Sequence, residues 1–164
     1  MQRPAKLRSL FYRWESLAAI VPAYDDDFQP TTRFYYTDGS TLEVLFPIES
    51  VMREFFAYFA VSQKQLHQTS ARHLGDASRK IPLSIQKDLC LLPIKCLEDR
   101  ISRKHQQNVY IVAQQISRVL REPNNAATIL FQRSGLCLYV PQSPRTIKRQ
   151  RDMASILIAR FQHY

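Results

Sequence analysis

Three cysteines, four histidines and an aspartate triplet are the residues of this chain that could ligate a metal or attack a substrate. Their spacing supports neither use. Cys90 and Cys96 have five residues between them, and no second Cys/His pair stands at the spacing of a structural zinc site. His67, His73, His105 and His163 form no arrangement that suggests a catalytic dyad, and no local signature marks a Cys–His nucleophile. Asp25-Asp26-Asp27 lacks further ligands at fixed offsets and reads as a polar loop. The only three glycines, Gly39, Gly75 and Gly135, build no phosphate-binding loop, and no His-Glu-x-x-His helix occurs. The expectation is a non-enzyme with no cofactor and no metal site.

The remaining chemistry is charge. The 164 residues hold 23 Lys/Arg against 14 Asp/Glu, a net charge of +9. The sequence pI is about 9.7. Such a balance favours an anionic partner, nucleic acid first and an anionic membrane surface second. The charge is concentrated in residues 64–107. Nine cations lie there (Lys64, Arg72, Arg79, Lys80, Lys87, Lys95, Arg100, Arg103 and Lys104) against Asp76, Asp88, Glu98 and Asp99, a local balance of +5. Two apolar strand-like runs, 81–85 and 89–94, sit inside this stretch, with cations at their ends. That pattern would hold positive charge at the rim of a sheet, within reach of a polyanion. The alternative is a solvated loop face. No apolar run approaches the ~20 residues that cross a bilayer, and 17–21 is too short for a signal-peptide core. An odd cysteine count suits a reducing compartment, so the expected location is cytoplasmic, without a membrane partner.

These residues must be positioned by one domain, given the chain length and a hydrophobic content of 45%. Leu7, Leu10, Phe11 and Trp14 recur at helical spacing, so residues 1–15 read as an amphipathic N-terminal extension. It either packs on its own domain or docks on a partner. A strand at 16–21 stops at Pro22. Asp38-Gly39 between 34–37 and 42–46 predicts a hairpin with a type I′ turn. Ser50 is a candidate N-cap for a helix whose stripe is Val51, Phe55 and Phe59. Gly75, Pro82 and Pro93 argue against long helices in the basic stretch. A strand at 108–116 and a loop at 118–125 follow. A second hairpin turns at Ser134-Gly135, and Ser143-Pro144 opens a last helix with Ile147, Ala154, Leu157, Ile158 and Phe161 inward. The order strand, loop, hairpin, proline, helix thus occurs twice, at 17–61 and 109–161. The expected fold is α+β: two similar antiparallel hairpin–helix halves joined by a basic crossover, with a core centred on Phe55, Phe59, Leu157 and Phe161.

From about residue 16 to 161 the sequence resembles the bacterial competence transcription factor (ComK) family of low-GC Gram-positive bacteria. The resemblance rests on the order and spacing of several short stretches. They are Ile20-Val21-Pro22, the 51–59 helix, a Thr69-Ser70-Ala71-Arg72 turn, Arg79-Lys80-Ile81-Pro82, the strand ending Leu92-Pro93, Tyr110-Ile111 and the second hairpin. Two departures stand out. The family glycine before Arg72 is absent, and Asn108-Val109-Tyr110 replaces the family's Cys-x-Trp. The resemblance implies a DNA-binding activator of DNA-uptake genes. It would bind paired A/T-rich boxes mainly through the minor groove, as a homodimer or higher oligomer on double-stranded DNA. RNA polymerase would be an activator's further partner. Longer family members carry a C-terminal tail tied to activation and to adaptor-directed proteolysis, and neither function is carried over. Arg72 and Lys80 match basic family positions, and Arg100 or Arg103 matches the basic position before the Cys-x-Trp motif.

Narrow A/T-rich minor grooves attract arginine and lysine, so loop-borne cations suit this reading. The expected contact surface is Arg72, Arg79, Lys80, Arg100, Arg103 and Lys104, with Lys148 and Arg149 on phosphates. Two rivals belong to other classes. A shortened relative could pair with and modulate a full-length activator. An RNA-binding protein would expose aromatics for base stacking, with Tyr35, Tyr36 and Tyr110 as candidates.

Overall fold

The runs at 17–20, 89–94 and 109–112 are apolar at consecutive positions, so both faces of these strands need cover. The structure is a computed structural model, which describes residues 5–75, 80–96, 108–133 and 135–161. Strands β1 (Leu17–Tyr24), β2 (Pro30–Tyr36), β3 (Thr41–Val44), β4 (Leu83–Gln86), β5 (Leu89–Lys95) and β6 (Asn108–Val112) form an antiparallel sheet in the order β3-β2-β1-β6-β5-β4. Strands β7 (Ile116–Glu122), β8 (Ala126–Phe131) and β9 (Cys137–Val140) form a second, in chain order. The helices are α1 (Ala5–Leu10), α2 (Ile48–Tyr58), α3 (Gln63–Leu74) and α4 (Pro144–Phe161). The fold is mixed α+β with antiparallel sheets. Among the described residues no helix is long and apolar enough to cross a membrane.

The large sheet separates two cores. On one face Ile20, Phe34 and Tyr36 meet Val51, Met52, Phe55 and Phe56 of α2, together with Leu7 and Phe11 of the N-terminal segment. The Phe55 ring lies 5.2 Å from that of Phe11 and 5.1 Å from that of Phe59. On the other face Ala19, Leu92 and Ile111 meet Ile129, Phe131 and Val140 of the small sheet and Ile147 and Ala154 of α4. The small sheet and α4 therefore supply the second cover that the apolar strands need. This corrects the expectation of one core: Phe55 and Phe59 belong to the first, while Leu157 is buried where α4 meets Leu66 of α3 and Ser84 of β4. The side chain of Phe161 lies outside what is described.

Several local expectations are also corrected. β1 runs through Pro22, which pairs with Thr32. Its missing N–H is tolerated because β6 pairs with β1 only at Ala19 and Ile20. Pro47, not Ser50, stands at the N-cap of α2. The stretch 118–125 is mostly strand, because β7 continues to Glu122 before the Pro123–Asn125 turn. At the first hairpin Gly39 alone has positive φ (86°), its N–H donates to Tyr36 O, and Tyr36 N donates to Ser40 O. That is a three-residue loop with a left-handed glycine, rather than a two-residue type I′ turn. Ser134 lies outside the described residues.

The basic stretch is not a loose crossover. Its first quarter is α3, in which Ser62 Oγ accepts from Gln65 N at one end and Gly75 (φ 64°) caps the other. Gly75 ends this helix instead of preventing it. The two apolar runs become β4 and β5, a third of the large sheet's strands.

Candidate nucleic-acid interface

α4 is the element that gathers the most exposed positive charge. Ser143 caps it, with Oγ accepting from Thr146 N at 3.1 Å and its carbonyl accepting from Ile147 N at 3.2 Å. Ile147, Gln150, Ala154 and Leu157 are buried, a 3-4-3 spacing that turns one helix face inward. Arg145, Lys148 and Arg149 are exposed and Arg151 is half-buried. With Arg160 they make five cations against the single acid Asp152.

This charge is locally unfavourable. Cations in the first turns oppose the helix dipole. Arg145 stands three and four positions before Lys148 and Arg149, and Lys148 stands three before Arg151. Each such like-charge pair costs an isolated helix roughly 0.2–0.5 kcal/mol. An anion bound along this face would remove that cost.

The tertiary fold adds two more cations. Gln150 Nε2 donates to the carbonyl of Lys80, which ties the segment before β4 to the N-terminal half of α4. Lys80 also lies close enough to Lys95, the last residue of β5, for the two charges to interact. Burial first, and then that neighbouring charge, holds the Lys80 ammonium below the ordinary lysine value. At the other end of α4, Arg160 Nη1 lies 2.6 Å from His73 Nδ1 of α3. Arg72 is exposed beside His73 in the last turn of α3. The ten residues from Gln150 to Arg160 span about 15 Å of helix axis.

The sequence-predicted residues therefore separate into three groups. Lys148 and Arg149 lie on the exposed face of the first half of α4, and the backbone of Lys80 is tied to Gln150 of the same half. Arg72 stands toward the far end, on a helix and not in the expected turn. Arg79, Arg100, Arg103 and Lys104 lie outside the described residues. Sequence reasoning passed over Lys95, Arg145 and Arg151. The helical spacing of Ile147, Ala154 and Leu157 was a signal for Arg145, which it turns outward, while Arg151, four after Ile147 and three before Ala154, flanks the inward face and is half-buried. For Lys95 the signal is long-range pairing, which no local pattern displays.

Asp152 apart, the carboxylates of the ion pairs below lie on other elements. Ion pairs among the described residues include Arg8–Glu54 at 3.9 Å, Arg13–Asp38 at 3.0 Å and Arg33–Glu43 at 3.5 Å. None involves Arg72, Lys80, Lys95, Arg145, Lys148 or Arg151. The base-stacking candidates fare differently: Tyr36 and Tyr110 are buried and Tyr35 is half-buried. The Cys90 thiol, fully buried, is pushed up to about 12 by burial and stays protonated at neutral pH.

Compared with known proteins, the chain matches no family model, no curated protein and no solved structure.

Proposed function

We propose that the chain is a double-stranded DNA-binding protein that selects A/T-rich boxes mainly through the minor groove. Following the resemblance stated above, it would act as a transcriptional activator of competence genes. The carrying observation is that, among the described residues, Arg145, Lys148 and Arg151 of α4 take part in none of the ion pairs named above, whereas Arg8, Arg13 and Arg33 on the α2 and β2–β3 side each face a carboxylate. Arg145, Lys148, Arg149 and Arg151, joined by Lys95, are assigned to phosphates, whose neutralisation releases counterions. Lys80, in the segment before β4, and the long Arg72 side chain are assigned to the groove, where an A/T-rich tract carries enhanced negative potential.

The reading includes two related halves, β1-β2-β3-α2 and β7-β8-β9-α4. Three observations support it. Thr32 pairs with Val44 and Tyr35 with Thr41, and Ala127 pairs with Val140 and Leu130 with Cys137, displacements of 95 and 96 positions. β1–β2 is bulged between Leu17 and Ala19, and β7–β8 between Ile116 and Arg118. Just beyond each bulge, Thr37 N donates to Ser16 O and Gln132 N donates to Gln115 O.

The test is a series of binding isotherms on A/T-rich and G/C-rich duplexes at several salt concentrations. The expected result is tighter binding to the A/T-rich duplex and log affinity falling linearly with log salt. Replacing Arg72 or Lys80 with alanine should reduce the A/T preference, whereas Lys148→Ala should weaken both duplexes alike. Equal affinity for both duplexes would leave only an electrostatic footprint. Binding to neither, or preference for single-stranded RNA, would end the proposal.

A further inference from the structure

β7 is a seven-residue edge strand, and among the described residues no strand lies against its far side. The other edge strands of the two sheets, β3, β4 and β9, have four residues each. Short edges resist pairing with another chain, whereas a long one presents a row of unused N–H and C=O groups. The strand at the same place in the N-terminal half has no such open edge. β1 pairs with β2 on one side and with β6, at Ala19 and Ile20, on the other. The shared bulge aligns Leu17 and Ala19 with Ile116 and Arg118. The part of β1 that β6 covers therefore corresponds to Arg118-Val119, which no strand among the described residues covers.

We propose that a second copy of this chain pairs with β7, antiparallel across a twofold axis at Leu120. The two small sheets then become one continuous sheet across the dimer. An isologous contact must be self-complementary, and this register is. Arg118 faces the partner's Glu122 at both ends, and Leu120 faces the partner's Leu120 at the centre. Arg118, Leu120 and Glu122 alternate along the strand, so they share one face. Leu120 is 36% exposed in the single chain. In the single chain the carboxylate of Glu122 accepts from Thr128 Oγ1 of β8 at 3.0 Å, and it would turn from there to the partner's Arg118 across the open edge. Neighbouring registers lose this match. An axis at Val119 sets Glu122 against the partner's Ile116, and an axis at Arg121 sets that arginine against itself. This inference gives the oligomer of the proposed DNA complex its interface, and rests on that reading for the role of the dimer, not for its formation.

The experiment is sedimentation equilibrium of the full chain without DNA, for the wild type, Arg118→Glu, Glu122→Arg and the double exchange. The wild type should dimerise. Each single reversal should raise the dimer dissociation constant about tenfold or more, because the altered cross-strand pair occurs twice across the axis. The double exchange should restore it. Opposed residues at the axis stand about 4.5–5.5 Å apart at Cα, within disulfide range. Leu120→Cys in a Cys96→Ser, Cys137→Ser background should thus oxidise to a covalent dimer, while Ser117→Cys should not. A wild type that stays monomeric overturns the proposal. So does a dimer indifferent to Arg118→Glu, or single reversals that melt like the wild type but are not rescued by the double exchange. DNA binding measured beside it keeps the two readings apart. A dimer that ignores DNA sinks the DNA reading alone, and a DNA-binding wild-type monomer sinks this interface alone.

Discussion

The β1-β2-β3-α2 unit and the β7-β8-β9-α4 unit bury their second and third strands in the same pattern. Residues 31–36 and 126–131 alternate identically, as do 41–44 and 137–140. They differ in the first strand and in the helix. β1 is buried over its first four residues because it lies inside the large sheet, whereas β7 buries only Ile116. α2 buries five residues, including Phe55 and Phe56, against the sheet. α4 has its cations on the outside and no acid in its first turn. Arg13 and Arg33, beside the first hairpin, are paired with Asp38 and Glu43. One pairing scheme thus serves twice, once as the interior of the molecule and once as a charged exterior layer. Strand register depends on alternation and turns, which the units share, and exposed chemistry is free to differ.

The strongest way to break this comparison is through the cores. Phe55→Ala should destabilise the protein by about 3–5 kcal/mol, and Ile147→Ala by about 2–5 kcal/mol. Both should lower a single cooperative thermal transition, since the two cores line opposite faces of one sheet. Two separate transitions in a calorimetric scan of the Ile147→Ala variant would mean that the outer layer unfolds by itself.

Charge sharpens the contrast next. Lys148→Ala should reduce the magnitude of the log affinity–log salt slope by about 0.9. Arg53→Ala, a change of equal charge at an exposed position of α2, should leave it unchanged. Equal effects at the two sites would show that only net charge matters.

Capping separates the helices at about 1 kcal/mol. Ser143→Ala removes a side-chain bond to the first turn of α4 and should cost about 0.5–2 kcal/mol in a denaturant melt. α2 makes no side-chain cap bond at Pro47.

The smallest effect concerns Lys80. Its folded-state pKa is lowered, so in the window between that value and the ordinary lysine value the unfolded chain holds the extra proton. Folding stability should therefore rise slightly with pH there. DNA binding should move the opposite way, because the protonated form that enters the groove is lost sooner. Lys80→Arg, which stays charged, should remove that extra loss of affinity at alkaline pH. An unchanged pH profile would show that Lys80 does not face the DNA.

Much of this was legible in the sequence. The Ser143-Pro144 start of α4, the strand runs at 81–85 and 89–94, and the hairpin glycines follow from local rules, since a cap, an apolar run or a left-handed turn is decided by neighbours a few residues away. Charge was also legible: the +9 balance needs no fold. What the local signal hid was placement. Pro22 looked like a stop because no local pattern says that β6 leaves that part of β1 unpaired. Residues 118–125 looked like a loop because β7 is half-solvated and polar, and only its pairing with β8 makes it a strand. Gly75 and the prolines argued against α3, though a glycine after the last turn is a helix end. The gathering of Lys80, Lys95 and α4 was decided by tertiary structure alone. It requires β4 to lie beside β5 and Gln150 to reach the carbonyl of Lys80 from 70 positions away in the chain, contacts that come from burying two faces of one sheet and that no sequence-local propensity encodes.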